Sequence, residues 1–218
     1  TSLDNLVTPL FALVITGFLT FTLVGPLMRT LGDAMTNSLV WLYDTTGAIG
    51  GGIIGFFYAP LVVTGMHHSF IAVETQLLAD IAKTGGTFIF PIAAMSNVSQ
   101  GAAALAMFFI IKEQKAKSLA SASAISAYLG ITEPAMFGIN LKFRYPFYAA
   151  MIGSGISSAF ISFFNVKAIA MGAAGLPGVI SIKQEELWFY VLGMLIATVV
   201  TITMTFFFSK RDWTKKTA

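Results

Sequence analysis

A glutamate and a proline interrupt an apolar, small-residue stretch at residues 130–139, which reads Gly-Ile-Thr-Glu-Pro-Ala-Met-Phe-Gly-Ile. An ionisable side chain at membrane depth indicates a functional site by default. Because proline disfavours the α conformation at the residue before it, we expect Glu133 on locally extended backbone. Such backbone survives in a membrane only where it lines a cavity. A carboxylate beside unpaired amide and carbonyl groups suits a ligand rich in hydroxyl groups, so the stretch predicts a sugar site with Glu133 as ligand.

Two adjacent histidines, His67 and His68, directly follow an apolar run. Neutral imidazole both donates and accepts a hydrogen bond, so it can bind hydroxyl groups without the desolvation cost of a full charge. The alternative is an interfacial or helix-capping pair. A metal site is not predicted, because Glu74 and Asp80 lack the compact spacing that would complete a ligand set.

Further polar residues lie within or just before a later apolar run. Asn97 and Gln100 are either sugar ligands or donors of hydrogen bonds between helices, which is the usual use of amides in a bundle. Gly86 and Thr87 precede the same run, where they form either a turn or a close backbone approach to a ligand. We predict these four residues as secondary substrate-binding candidates.

Composition places the chain in a membrane. It is 56% hydrophobic and 11% charged, whereas soluble domains carry about 25% charged residues. The 218 residues contain no cysteine, which excludes disulfides, thiolate metal sites and cysteine nucleophiles within them. No phosphate loop, nucleophile elbow or dinucleotide fingerprint occurs, so we predict no cofactor. Thr1 and the polar residues after it predict a fragment whose N-terminal portion is missing.

The pattern predicts an all-α integral membrane protein, because several runs have the length of about 20 residues that a helix needs to cross a bilayer. The five predicted spans are Pro9–Met28, Ala48–Met66, Phe88–Ile111, Pro146–Val166 and Leu187–Phe208. Arg29–Thr46 is amphipathic and predicts a helix lying at the interface. Ser118–Leu141 and Ala168–Ile182 are broken by Gly and Pro, so each is either a span or a re-entrant hairpin.

The distribution of basic residues favours the re-entrant alternative. If both broken stretches return to the side they entered, ten of the thirteen Lys and Arg residues fall on one side of the membrane, which the positive-inside rule makes cytoplasmic. Those ten are Arg29, Lys112, Lys115, Lys117, Lys142, Arg144, Lys210, Arg211, Lys215 and Lys216; the other three are Lys83, Lys167 and Lys183. The net charge of +3 is thus explained by topology, and no nucleic-acid partner is needed. We predict a scaffold part at residues 1–47 and a transport domain at residues 48–218.

Three segments together resemble a known family. They are Gly65-Met66-His67-His68-Ser69-Phe70, Met95-Ser96-Asn97-Val98-Ser99-Gln100-Gly101 and Gly130-Ile131-Thr132-Glu133-Pro134-Ala135-Met136-Phe137-Gly138. In combination and order they look like the membrane (IIC) domain of bacterial phosphoenolpyruvate-dependent sugar phosphotransferase permeases of the glucose superfamily. The resemblance runs over nearly the whole chain.

Two later segments resemble the sucrose and trehalose (alpha-glucoside) branch of that superfamily. They are Asn140-Leu141-Lys142-Phe143-Arg144-Tyr145-Pro146-Phe147 and Gly175-Leu176-Pro177-Gly178. Glucose and maltose permeases usually carry an arginine shortly before the paired histidines, and residues 56–64 contain none here. Contacts attributed to that arginine therefore do not transfer to this chain, and the sequence leaves sucrose and trehalose both open.

The resemblance implies a mechanism and a set of partners. A homodimeric IIC domain in the bacterial inner membrane binds a disaccharide from outside, moves it by a rigid-body displacement, and presents it to a cytoplasmic IIB domain. IIB carries a phosphocysteine and phosphorylates the sugar. Carried over by motif, Glu133 and the two histidines bind the sugar with Thr132 beside them, and Glu133 is a candidate general base.

A second function class is compatible with the same residues. A proton- or ion-coupled secondary transporter would use Glu133 as its proton-carrying carboxylate and the broken stretches as its hairpins. Such a carrier releases unmodified sugar, whereas a phosphotransferase permease releases sugar phosphate. A purely structural membrane protein is the third alternative, and it does not explain a glutamate in a broken segment.

Overall fold

The computed structural model describes residues 4–210, which form helices joined by turns and, within that range, no β-structure beyond isolated bridges. Four helices in this range are long and apolar enough to span a membrane, and a bent helix pair supplies the length of a fifth. The four are Val7–Leu27, Ile89–Ile110, Tyr145–Phe163 and Gln184–Lys210, and the bent pair is Ala48–Val63 with Met66–Ala79. The prediction of an all-α membrane protein with about five spans is confirmed.

The chain forms two compact units, and the first ends at Val40. It starts with α1 (Asp4–Leu19), which continues through a π-helix (Thr20–Val24) into α2 (Gly25–Thr46). None of the span in this unit is buried, and its Leu, Val and Phe side chains are exposed. So long an apolar surface suits lipid and not water. The segment predicted as an interfacial helix, Arg29–Thr46, forms most of α2 and continues the helix of the span. The structure does not describe the side chains of residues 31–33 and 35–36, and the placement of this segment at the interface stays a prediction.

The second unit begins at Trp41, inside α2. The Tyr43 ring stacks on Phe88 with ring centroids 3.9 Å apart. The last turn of α2 therefore packs against the residue just before the helix that begins at Ile89. The compact units therefore divide at residue 40, seven residues before the predicted border. Whether residue 47 separates a scaffold from a transport domain remains a prediction.

The helices of the second unit surround one central helix. In chain order they are α3 (Ala48–Val63), α4 (Ser69–Ala79), α5 (Ile81–Thr84), α6 (Ile89–Ile110), α7 (Gln114–Tyr128), α8 (Glu133–Ala135), α9 (Leu141–Phe143), α10 (Tyr145–Phe163) and α11 (Leu187–Lys210). Helix α6 is buried over 83% of its apolar window and packs against α3, α7, α10 and α11. Helix α11 is only 28% buried and presents an apolar outer face, as expected for a helix in contact with lipid.

Small residues allow the spans to pack closely. Gly51 and Gly55 of α3 face Ser162 and Ser158 of α10, where a Cβ on either glycine would overlap the serine side chain. The hydroxyl of Ser154 also donates to the Gly55 carbonyl oxygen at 2.7 Å. Close backbone approach and hydrogen bonds between helices replace the hydrophobic drive that is missing in lipid.

The second predicted span bends sharply after α3. Gly65 adopts a left-handed conformation with φ of 77° and ends the helix, as glycine commonly does at a helix C-terminus. A 3₁₀ turn (Met66–His68) follows, and α4 leaves at 116° to α3. The bend places the two histidines at a corner of the backbone instead of on a helix face.

The first broken stretch is a helical hairpin. Helix α7 forms one arm, and α8, a π-helix (Met136–Asn140) and α9 form the returning arm. Lys112 and Glu113 at its start line the same pocket as Lys142 and Phe143 at its end. The hairpin therefore starts and ends on the same side of the helix bundle. A re-entrant segment requires this geometry.

The second broken stretch also turns back on itself, with little regular structure. Ala168 pairs with Ile182 and with Thr87 in isolated antiparallel bridges at its base. Its tip reaches the tip of the first hairpin, because a Cβ on Gly175 would lie 2.6 Å from the Tyr128 carbonyl oxygen. The two broken stretches thus meet tip to tip inside the unit.

The described basic residues of the second unit lie in two groups, one at each end of the long helices, as the re-entrant topology predicts. Lys112 and Lys142 share a pocket with Ser209 at the end of α11. At the opposite ends of α10 and α11, Lys167 Nζ donates to the Thr84 carbonyl oxygen at 2.6 Å, and Lys183 pairs with Glu186 at 3.8 Å. Which end faces the cytoplasm remains a prediction, and Arg211, Lys215 and Lys216 lie outside the described residues.

We predict that Lys115 is cytoplasmic and Lys83 external, because the positive-inside rule assigns the lysine-rich end to the cytoplasm. Single Lys115→Cys and Lys83→Cys substitutions can be tested directly, since the 218 residues contain no other cysteine. In intact cells an impermeant maleimide should label Lys83→Cys, and it should label Lys115→Cys only after the membrane is permeabilised. External labelling of Lys115→Cys would reverse the assigned topology.

Candidate functional site

The tip of the first hairpin is a tight turn that ends just before Glu133. Gly130 has a φ of 102°, which favours glycine, and the Ile131 N–H donates to the Ser126 carbonyl oxygen at 2.9 Å. The Ser126 hydroxyl in turn donates to the Ile131 carbonyl oxygen at 2.9 Å. Local hydrogen bonds therefore hold the tip closed.

Glu133 begins a helical turn, so the prediction that it lies on extended backbone is wrong. Thr132 before it is already in the right-handed helical region, with φ of −90° and ψ of −19°. Pro134 falls in the first turn of α8, where its missing N–H has no partner to lose. The break in the helix lies at residues 129–132, one turn earlier than the proline rule suggests.

The Glu133 side chain is exposed, whereas Thr132 is buried with 5% of its surface accessible. The carboxylate can therefore meet a ligand directly. The backbone carbonyl of Thr132 accepts from the Met136 N–H at 2.8 Å, which ties it to the returning arm. A sugar contact from Thr132 stays a prediction.

The paired histidines belong to another part of the chain, the corner after α3. Glu133 lies close enough to His67 for their charges to interact. The two imidazole rings are 4.1 Å apart at 35° to each other. His67 is half-buried, its Nδ1 is covered and has no hydrogen-bond partner within residues 4–210, and His68 is exposed. The corner after α3 and the hairpin tip thus place His67 and Glu133, the two strongest candidates from the sequence, within range of each other's charge.

The two amides of α6 bond to the hairpin. Asn97 Nδ2 donates to the Gly130 carbonyl oxygen at 3.4 Å. The backbone oxygen and the Oε1 of Gln100 both accept from Asn140 Nδ2, at 2.9 and 2.7 Å. The structure therefore gives both residues the helix-to-helix hydrogen bonds that were their alternative assignment, and direct sugar contact by either stays a prediction.

Gly86 and Thr87 lie at the base of the second broken stretch. The Thr87 backbone exchanges two hydrogen bonds of 2.9 Å with Ala168, and its hydroxyl accepts from the Ile89 N–H at 3.2 Å. A Cβ on Gly86 would overlap the Ala168 carbonyl oxygen. These contacts account for both residues as backbone packing, and no described contact joins them to Glu133 or His67, so a ligand role for them stays a prediction.

Sequence reasoning assigned no role to Asn140 and Tyr190. Asn140 lies seven residues after Glu133 on the returning arm, and the Tyr190 hydroxyl donates to the Gly175 carbonyl oxygen at 2.8 Å. An amide in an apolar stretch was a signal for Asn140. A tyrosine near the start of an apolar helix carries no such signal, because interfacial tyrosines are common.

The assembled residues suit hydroxyl recognition. A carboxylate accepts from several hydroxyl groups, and a neutral imidazole adds one donor and one acceptor. Within residues 4–210, no group of three or more His, Asp and Glu side chains is arranged to hold a metal ion. The chemistry on offer at Glu133 and His67 is hydrogen bonding and proton transfer.

Comparison with known proteins adds a family and relatives. A family model described as "Phosphotransferase system, EIIC" matches residues 1–155. The chain is 62% identical over 209 residues to a "PTS system sucrose-specific EIIBC component" of Pasteurella multocida, covering 96% of this chain and 44% of that protein. It is 65% identical over 199 residues to a protein of the same name from Staphylococcus xylosus, covering 90% of this chain and 42% of that protein.

A third relative carries a different sugar in its name. The chain is 44% identical over 198 residues to a "PTS system trehalose-specific EIIBC component" of Bacillus subtilis, covering 91% of this chain and 42% of that protein. The chain thus spans less than half the length of these relatives. No solved structure matches it.

Proposed function

Because the chain belongs to the phosphotransferase system EIIC family, we propose that it binds a disaccharide beside Glu133 and delivers it inward for phosphorylation by an EIIB domain. One observation carries the proposal: the hairpin tip and the corner after α3 bring Glu133 and His67 within electrostatic reach of each other. Glu133 is exposed and His67 is half-buried, so both keep surface that a ligand can reach.

Sucrose is the first substrate to test. The relatives at 62% and 65% identity are named as sucrose-specific, whereas the relative named as trehalose-specific is at 44%. Both sugars are glucosides with similar sets of hydroxyl groups, so trehalose is the necessary comparison.

The proposed partners follow from the names of the relatives. "EIIBC" names a B component together with C, and the present 218 residues contain no cysteine that could carry a phosphoryl group. We therefore assign the phosphocysteine to an EIIB partner. A homodimer in the bacterial inner membrane with a cytoplasmic C-terminus completes the proposed assembly.

We propose a chemical role for Glu133 besides binding. In the transfer, a sugar hydroxyl oxygen forms a bond to phosphorus, the bond from phosphorus to the EIIB cysteine sulfur breaks, and the thiolate leaves. The hydroxyl proton must go to a base, and the Glu133 carboxylate is the proposed acceptor. General base catalysis contributes typically about 10²–10⁴-fold to a rate.

Uptake by membrane vesicles distinguishes this function from a proton-coupled carrier. Vesicles that hold the full-length permease are loaded with phosphoenolpyruvate and the soluble phosphotransfer proteins, then given labelled sucrose. We expect sucrose phosphate inside, no accumulation without phosphoenolpyruvate, and no effect of a protonophore. Unmodified sucrose that accumulates only with a proton gradient would contradict the proposal and favour the secondary transporter.

A further inference from the structure

We propose that Gln100 and Asn140 are positioning residues that fix the hairpin carrying Glu133 on α6, and through it the place of the carboxylate. Nothing in the family match or the names of the relatives assigns a role to this Gln100–Asn140 amide pair. Its effect on sugar binding rests on the proposed function, whereas its effect on the hairpin does not.

The geometry of the amide pair admits one orientation. Asn140 Nδ2 donates to two oxygens of Gln100, the backbone oxygen at 2.9 Å and Oε1 at 2.7 Å. A reversed Asn140 amide would place its Oδ1 against both oxygens, and oxygen cannot donate to oxygen. Both residues are almost completely buried, with 0% and 1% of their surfaces accessible. Water therefore does not compete for these hydrogen bonds.

The amide pair holds the returning arm of the hairpin at a place where the helix itself is irregular. Asn140 is the last residue of the π-helix that follows α8, and π-helical segments are a frequent feature of functional sites. The second hydrogen bond between α6 and the hairpin, from Asn97 Nδ2 to the Gly130 oxygen, holds the tip. Glu133 lies between these two attachments.

Small side chains also pack between α6 and the hairpin near Glu133. A buried cluster there consists of Ala104 on α6 with Ala124, Ala127 and Ala135 on the hairpin. Methyl groups pack closely but fix the position along the helix less tightly than a directional hydrogen bond does. The amide pair therefore adds a directional constraint on how far the returning arm lies along α6, next to the apolar contact of Met107 with Ile139.

The Gln100–Asn140 amide pair contributes less to stability than an apolar pair of the same shape would. Gln100 Nε2 and Asn140 Oδ1 are buried and have no hydrogen-bond partner within residues 4–210. A buried polar atom without a partner costs stability, and an apolar pair of similar shape would avoid that cost. Such a cost in stability is expected where a side chain serves to fix the position of the hairpin.

The first test measures the hairpin without any sugar. Ala135 lies on the hairpin, completely buried where the hairpin packs on α6, and Ala135→Cys introduces the one thiol in these 218 residues, which a maleimide reaches only when the hairpin lifts. In the full-length protein with the EIIB cysteine replaced by serine, adding Asn140→Leu should raise the labelling rate at least about tenfold. Ser154→Ala, which removes a buried helix-to-helix hydrogen bond of 2.7 Å between α10 and α3, is the matched control and should leave it unchanged. An unchanged rate with Asn140→Leu would overturn the inference.

The second test separates positioning from stability. Asn140→Leu should weaken sucrose binding about tenfold and lower the melting temperature, because it leaves Gln100 Oε1 unpaired. The double variant Gln100→Met with Asn140→Leu removes both side-chain amides and so leaves none unpaired; its melting temperature should recover toward that of the parent while its affinity stays weak. Recovery of affinity together with stability would show a merely structural role.

Failure of the proposed function and failure of the positioning role give different results. If the parent protein binds no sucrose or trehalose, the proposed function fails while the labelling rates still decide the positioning role. If Asn140→Leu does not fold, Gln100→Met alone decides, because it keeps the backbone acceptor and removes Oε1 together with the unpartnered Nε2. That variant should give a smaller increase in labelling, and no increase at all would overturn the inference.

Discussion

Glu133→Gln should weaken disaccharide binding at least about tenfold and leave the protein folded. The substitution keeps the shape of the side chain, removes its charge and replaces one acceptor by a donor. A hydrogen bond to a charged group contributes about 1.5–3 kcal/mol, and about 1.4 kcal/mol is a tenfold change in affinity. The melting temperature should stay close to that of the parent, since Glu133 is exposed and glutamine has the same shape.

Glu113→Gln is the matched control for this experiment. Glu113 is an exposed glutamate just before α7, at the base of the same hairpin and away from its tip. Its replacement should change neither affinity nor melting temperature. Equal sucrose affinity in folded Glu133→Gln and the parent would remove Glu133 from the binding site, whereas intact binding with abolished uptake would move its role to phosphoryl transfer.

Gly130→Ala should destabilise the protein and lower sugar affinity together. Gly130 has a φ of 102°, and a Cβ at this position would overlap the Ala174 carbonyl oxygen of the second broken stretch. Backbone strain of this kind costs about 1–3 kcal/mol before any overlap is counted. The two tips must separate to accept the methyl group, which displaces Glu133 as well.

Gly138→Ala provides the comparison on the same hairpin. Gly138 has no positive φ, and a Cβ there would lie 3.6 Å from Leu119 Cδ2, an ordinary contact distance. Thermal unfolding of the purified variants should show a clear fall in melting temperature for Gly130→Ala and little change for Gly138→Ala. Equal melting temperatures would mean that the two broken stretches do not depend on their contact at the tips.

The spans were predictable because each is a largely apolar run without a charged residue, near the length that a bilayer requires. The bend after α3 is the exception, since the predicted span to Met66 turns at Gly65, a residue the sequence marks only as small. The family was also predictable, because three motifs in a fixed order are far more specific than any one of them, and the match over residues 1–155 confirms it.

The predicted conformation of Glu133 was wrong because two preferences of proline compete at this position and the prediction used only one of them. Proline disfavours a helical residue before it, yet it is also favoured in the first turn of a helix. The hairpin tip settles the competition, since the turn at Gly130 already reverses the chain. Glu133 is thereby free to start the returning helix.

The sequence could not divide polar residues between ligand contact and internal hydrogen bonding. Asn97, Gln100 and Thr87 are all polar residues beside or within apolar runs, but their partners are Gly130, Asn140 and Ala168, which lie 33 to 81 residues away in the chain. Such pairings depend on tertiary packing, and no local pattern encodes them. The meeting of the two hairpin tips was hidden for the same reason.

The location of the site is tested most directly by protection of Ile131→Cys from a maleimide. Ile131 is 60% exposed at the hairpin tip, two residues before Glu133, and Lys115→Cys at the base of the hairpin serves as reference. Saturating sucrose or trehalose should slow labelling of Ile131→Cys at least about fivefold and leave Lys115→Cys unchanged, since a bound disaccharide covers the tip. Equal labelling of Ile131→Cys with and without a sugar that demonstrably binds the protein would place the site elsewhere and contradict the account.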